Sequence, residues 1–179
     1  MTVFDGNQLR LTLRRWPSGV TVVTAQRENM PSPVGVTVSS FTSVSLEPPL
    51  ILVCLFKETD VAQAILSARA FGVMLLGDDQ ADLSVRFAGF DPDFPDGADR
   101  FENLQTYHLV TGAPLFEHAI AALDCRVWAI HDGSTHYIIV GQVVAARTPS
   151  VDDDRQTLVY YNRGYHELTS LDTAGRTSR

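Results

Sequence analysis

The stretch "GVTVSSFTSVSLEPPLILVCL", Gly35 to Leu55, places six hydroxyl side chains (Thr37, Ser39, Ser40, Thr42, Ser43 and Ser45) in its first eleven residues and then turns apolar. Serine gains nothing from a pleated surface, and a hydroxyl beside a core strand must find a hydrogen-bond partner or reduce stability. Local turns can satisfy some of these groups. The others, with neighbouring N–H groups, point to a slot for a flat ligand with a polar edge. Beyond the bend "LEPPL", the run "LILVCLF" has strand length and unbroken apolar character, so burial on both faces is expected.

Working outward, "VTVVTAQ" (Val20–Gln26) is β-branched and bounded by turn formers, which predicts a strand. The opening segment "GNQLRLTLRRWPSG", ended by Pro17 and Gly19, fits either a short helix or an extended arm within residues 1–14. After Phe56, Asp60 with Gln63 forms a potential capping box for the helix "VAQAILSA". "FGVMLL" predicts a strand, and "DDQADLSVRFAG" a second short helix with Leu83 and Phe87 on one face. The Asp-, Pro- and Gly-rich segment from Asp91 to Arg100 is a loop, either a lid or partner contact or an ordinary surface excursion. "ALDCRVWAIHDG" and "THYIIVGQVVAARTP" read as strands joined by a hairpin at "HDGSTH", and "TLVYY" as a last, shorter strand. Antiparallel strands with two inserted helices predict a mainly β fold, a closed or partly closed barrel. The expected organisation is one domain over 1–179, with a frayed tail at 170–179.

The 179-residue chain is 45% apolar, 20% charged and formally −7 in net charge, with no cluster of Lys or Arg mixed with aromatics. That balance argues against a nucleic-acid partner. No apolar run reaches the length that spans a bilayer, and no charged leader with a small-residue cleavage site opens the chain, so a cytoplasmic protein without membrane partners is expected. Cys54 and Cys125 each lie within an apolar run, as buried thiols do. Spacings for a zinc site, a phosphate-cradling Gly-rich loop and a dinucleotide Gly-x-Gly-x-x-Gly turn are all absent. His108, His118, His131, His136 and His166 are scattered, and no metal is expected. Downstream of the hydroxyl stretch, Lys57, Thr59 and the helix start after Asp60 combine a cation with free helix amides, a combination suited to a phosphate.

Read together, "VTVSSFTSVSLEPPLILVCL", "FGVMLLGDDQADLSVRFAG", "THYIIVGQV" and "LVYYNRGYHEL" resemble the short-chain flavin reductases, over roughly Arg15 to Leu168. The resemblance implies an FMN-binding split β-barrel, homodimeric, that transfers hydride from NADH or NADPH to FMN or FAD. The reduced flavin then diffuses to a flavin-dependent monooxygenase. It puts Thr37, Val38, Ser39 and Ser40 beside the isoalloxazine ring, Cys54, Leu55 and Phe56 on the ribityl side, and Lys57 with Thr59 at the phosphate. It also has Phe87 and Ala88 closing the pocket, Arg163 at a nucleotide or flavin phosphate, and His136 on the nicotinamide side. Ser39 and His136 are the expected catalytic pair, Ser39 as a donor to charge developing on the flavin. Two departures stand out: Val73-Met74 where the family often has Asn, and Ser134-Thr135-His136 in place of Gly-Asp-His. The second removes a carboxylate that would orient the histidine. The alternative reading is a split-barrel protein that binds or carries flavin without reducing it.

Overall fold

The structure, a computed structural model, describes residues 5–27, 32–148 and 154–170. The opening segment is a helix, α1 (Gly6–Leu13): the Asp5 carboxylate accepts from the Asn7 and Gln8 amides, and Gln8 accepts in return from the Asp5 N–H. α1 buries none of its own residues. It is followed by β1 (Ser18–Gly19), β2 (Thr21–Ala25), β3 (Val34–Val38), β4 (Thr42–Leu46) and β5 (Pro49–Phe56). Then come α2 (Asp60–Ala68), β6 (Ala70–Leu75), α3 (Ala81–Ala88), β7 (Thr106–Tyr107) and β8 (Leu115–Phe116). The chain closes with β9 (Ala121–Gly133), β10 (His136–Arg147), β11 (Val159–Tyr161) and β12 (Gly164–His166).

Seven strands form one antiparallel sheet in the order β3-β2-β6-β9-β10-β5-β4. Its two edges, β3 and β4, are consecutive in sequence, so the sheet is split within the hydroxyl-rich stretch. β11, β12 and β1 make a small second sheet. On one face, α2 presents Val61, Ala62, Ala64 and Ile65 to Val23, Val53, Phe71 and Ile139. The other face carries Val22, Met74 and Ala122 beneath Phe87, Phe101 and Phe116. Strand β2, sandwiched between these layers, is buried along its whole length.

Two expectations are corrected. Strand β5 is not buried on both faces: Ile51, Val53 and Leu55 point into the core, while Leu52 and Cys54 are half-buried and Phe56 is exposed. α2 packs only on the inner face there. The cap of α2 is Thr59 rather than Asp60, its hydroxyl accepting from the Ala62 amide, while Gln63 reaches past it to the Lys57 carbonyl. Residues 149–153 and 171–179, the latter most of the tail expected to fray, lie outside the described residues.

The split is held by one side chain. Pairing of β4 with β5 ends at Thr42 opposite Leu52, so the backbone groups of Cys54 that face the same edge have no strand beside them. The Ser40 hydroxyl fills that position, accepting from the Cys54 N–H and donating to the Cys54 C=O, each at 3.0 Å. It extends the ladder past the last paired residue. Ser40→Ala leaves both groups without that partner and is expected to destabilise the protein by about 1–3 kcal/mol in urea unfolding. Ser39→Ala, at an exposed position, should change stability by less than about 0.5 kcal/mol. Equal stability of the two variants would refute the stapling role.

Candidate active site at the split of the sheet

Three chain segments meet beside the split: the end of β3, the end of β5, and the β9–β10 hairpin. Ser40 ties the first two together through Cys54. The hairpin adjoins them because His136 pairs with Phe56 in the β10–β5 register, their rings 5.6 Å apart. The Lys57 amide also donates to the Thr135 carbonyl at 3.1 Å. Ser134 takes the left-handed turn position at φ 67°, and its amide donates to Asp132 at 2.7 Å. The hairpin expected at "HDGSTH" is therefore present, with Cys54, Phe56, Lys57 and His136 along one side of it.

The hydroxyls divide by task. Thr37 donates to the Ser84 carbonyl at 2.7 Å, and the Ser84 hydroxyl pairs with the Tyr165 hydroxyl at 2.8 Å. Thr59 caps α2 and donates to Phe56 C=O at 2.8 Å. The Val38 carbonyl accepts from Thr21. Only Ser39 in the expected ring-facing segment is exposed, and its hydroxyl has no protein partner among the described residues.

Lys57 and Arg86 are both committed to partners within the chain. The Lys57 ammonium donates to Asp132 at 2.9 Å and lies 5.2 Å from the Tyr137 ring centre. That hydrogen bond, then the one from the Ser134 amide, holds the Asp132 carboxyl below its ordinary range. Arg86 is buried, donates to the Glu102 carbonyl at 2.6 Å and stacks 3.5 Å from the Phe94 ring centre. Desolvation lowers its pKa, partly offset by Asp91, Asp99 and Glu102. Its work is to tie the 91–100 loop back onto α3.

The remaining expected residues separate. Phe87 is not at a pocket rim: it is fully buried against Phe101 and Phe116, under Gly35, where an added Cβ would lie 2.6 Å from its ring. Ala88 follows it, half-buried at the end of α3. Leu55 sends its side chain into the core, leaving only backbone toward the split. His136 is half-buried, with Nδ1 2.8 Å from the Thr135 hydroxyl. The hairpin does contain a carboxylate, Asp132, but it serves Lys57 and the turn rather than the histidine.

Two cavities flank these segments. One, about 410 Å³, runs from β3 and Thr59 to the 96–101 loop, and its charged lining is Arg27, Arg100, Asp60, Asp96 and Asp99. The other, about 440 Å³, brings Ser39 and Arg163 together with Arg10, Arg14, Trp16 and Tyr160. The last four are absent from the set chosen on sequence. The spacing of Arg10 and Arg14 by one helical turn was the one signal available, and it does not by itself place them near Ser39.

The family model described as "Flavin reductase like domain" matches residues 13–169. The chain is 39% identical over 143 residues to the reductase component of 4-nitrophenol 4-monooxygenase/4-nitrocatechol 2-monooxygenase of Rhodococcus opacus, covering 80% of this chain and 72% of that one. It is 33% identical over 162 residues to the reductase subunit of a flavin-dependent monooxygenase of Mycobacterium tuberculosis, covering 90% and 81%. The solved structure of the NADH:FAD oxidoreductase of Streptomyces globisporus C-1027 superposes with a TM-score of 0.82 at 32% identity, covering 95% of this chain and 97% of that one. With a matching domain over most of its length and the same mainly β split sheet, the chain belongs to the flavin reductase like family.

Proposed function

We propose that this protein is an NAD(P)H:flavin oxidoreductase that supplies reduced FMN or FAD to a partner flavin-dependent monooxygenase. The observation that carries the reading is the meeting of Ser39, the Ser40–Cys54 staple and His136 at the split of the sheet, in a chain of this family. The donor set fits a flavin: an unpaired hydroxyl at Ser39 and arginines in the adjoining cavity. When bound together, the dihydronicotinamide gives a hydride to the flavin, leaving oxidised nicotinamide and reduced flavin.

The chain's own residues orient and stabilise. Ser39 donates toward the negative charge that develops on the flavin ring, without having to break a bond to the protein first. His136, held by Thr135 and packed at a tilt against Phe56, forms a wall for the nicotinamide. Stacked approach of the two rings matters more here than proton transfer. Lys57 and the start of α2 face the flavin phosphate, the Lys57–Asp132 pair exchanging one oxygen anion for another. Phe87 supports the floor from beneath, through β3, with Ala88 beside it. The open surroundings of the split favour a flavin that leaves after reduction over one that stays.

A homodimer is part of the proposal. Edge strand β4 exposes Val44 at 51% and Leu46 at 87%, and Phe56 and Trp128 are exposed at 43% and 55%, an apolar surface suited to a second copy. Sedimentation should give twice the 19.7 kDa chain mass. No helix among the described residues is long and apolar enough to cross a membrane. A cytoplasmic location accords with Cys54 and Cys125 both being free thiols.

Anaerobic stopped-flow with NADH and excess FMN or FAD is expected to show many turnovers of free flavin; reduction of a single retained equivalent would instead favour the carrier reading. His136→Ala should raise KM for NADH about tenfold, a loss of roughly 1.4 kcal/mol, with KM for flavin changed less than twofold. The reverse pattern would reject the nicotinamide assignment. Ser39→Ala should lower kcat by about 10- to 100-fold, the worth of a hydrogen bond to developing charge, while melting stays unchanged.

A further inference from the structure

We propose that Asp132 sets the preference of this enzyme among flavins: it is a built-in anion that holds Lys57 whenever no flavin phosphate is bound, and so removes most of the advantage of FMN over riboflavin, which has no phosphate. This rests on the reductase reading above, in which Lys57 meets the flavin phosphate. Asp132 itself touches no ligand. It is a specificity-determining residue that acts through Lys57.

The backbone of Lys57 is fixed, while its flexible stem lets the ammonium turn between partners. Its N–H donates to the Thr135 carbonyl at 3.1 Å, and its own carbonyl accepts from the Gln63 side chain at 2.7 Å. From that anchored root the side chain crosses β10, its ammonium 5.2 Å from the centre of the Tyr137 ring, to reach Asp132 on β9 at 2.9 Å. Tyr137 stands opposite both Leu55 of β5 and Asp132 of β9, so the ammonium is drawn across a whole strand. Thr59, the cap of α2, follows Lys57 by two residues. A phosphate at the start of α2 therefore meets a lysine whose charge is already engaged on the hairpin.

Asp132 does not follow the ammonium when it turns away. Its second oxygen accepts from the Ser134 amide at 2.7 Å, in a turn where Ser134 stands at φ 67°. The hydrogen bond from Lys57, and after it the one from Ser134, hold the carboxyl below its ordinary range, so it is charged at neutral pH. With side chains 28% and 75% exposed, the Lys57–Asp132 pair contributes little to folding and is open to exchange with a dissolved anion. That exchange gives Lys57 a phosphate oxygen in place of a carboxylate oxygen and leaves Asp132 without its cation. Net attraction for the phosphate is then the small difference between two similar contacts. As reduced flavin departs, Asp132 retakes the lysine, which favours release.

Fluorescence titrations with oxidised FMN and riboflavin measure this without turnover. The native protein is expected to bind the two flavins within about fivefold of each other. Asp132→Asn keeps an oxygen for the Ser134 amide and discards the charge. It should tighten FMN roughly fivefold at low ionic strength, with riboflavin changed less than about twofold and melting unmoved. In a Lys57→Met background the same change should alter FMN binding by less than about twofold, the non-additivity of a residue that acts through its partner. A native preference for FMN beyond the stated range, no tightening in Asp132→Asn, or equal tightening without Lys57 would overturn the role of Asp132. Flavins bound as expected by a protein that reduces neither would overturn the reductase reading and leave Asp132 standing, and a native protein that binds neither flavin would overturn both.

Discussion

Everything at this site depends on a backbone ladder that runs out. β4 stops pairing with β5 at Thr42, and the N–H and C=O of Cys54 beyond it would be bare if the Ser40 hydroxyl did not take both. A strand continued to that point would have covered the edge with main chain and left no room for a ligand. A side-chain hydroxyl satisfies the same two groups in far less volume. The chain thereby keeps an opening between β3 and β4 without the penalty of unpaired buried peptide groups. The ends of β3 and β5 and the β9–β10 hairpin converge on that opening because Ser40, the Lys57 amide and the His136–Phe56 register fix their relative positions.

The same reasoning sorts the charges. A protein with excess acid that handles anionic dinucleotides needs cations that are not already neutralised. Lys57 is shared with Asp132, and Arg86 is spent beneath the 91–100 loop on a carbonyl and a phenyl ring. Their presence in the sequence says little about the field a ligand meets. Arg10, Arg14 and Arg163 are the cations that remain available where Ser39 is also available. Availability, more than count, decides where an anion goes.

Much of the fold was legible because its signals are local. β2, β6 and the β9–β10 hairpin announce themselves by apolar runs and turn formers, and the split barrel by the resemblance that those runs carry. What failed did so for nonlocal reasons. An unbroken apolar run such as Leu50–Phe56 cannot report that one of its faces lacks a covering layer within the chain. Thr59 and Asp60 are both competent caps, and the helix begins one residue earlier than the capping-box pattern indicates. Phe87 of α3 lies in the core because Gly35, on strand β3, has no side chain to exclude it. The hydroxyl count at 37–45 points to a polar slot, yet only the partners of Thr37 and Ser40 distinguish stapling from ligand binding. Nothing local in α1 reports that Arg163 lies near Arg10 and Arg14, because Arg163 arrives through the pairing of β1 with β11, Ser18 opposite Tyr160.

The unburied helix α1 has a thermodynamic consequence for how ligands are held. At eight residues it is shorter than helices that persist alone in water, and its order rests on its cap and on the few ties between Arg14, Arg15 and the β11–β12 hairpin. A ligand that bound between helix and hairpin would add to those ties, so part of its binding free energy would go into ordering α1 rather than into affinity. The exposed Leu9, Leu11 and Leu13, at 46%, 57% and 56%, contribute nothing to offset that within one chain. Moderate affinity is what a donor of reduced flavin requires, since a substrate that must leave for another protein cannot be gripped as a prosthetic group is. Ordering the marginal helix therefore offsets part of the attraction for any ligand that docks against α1.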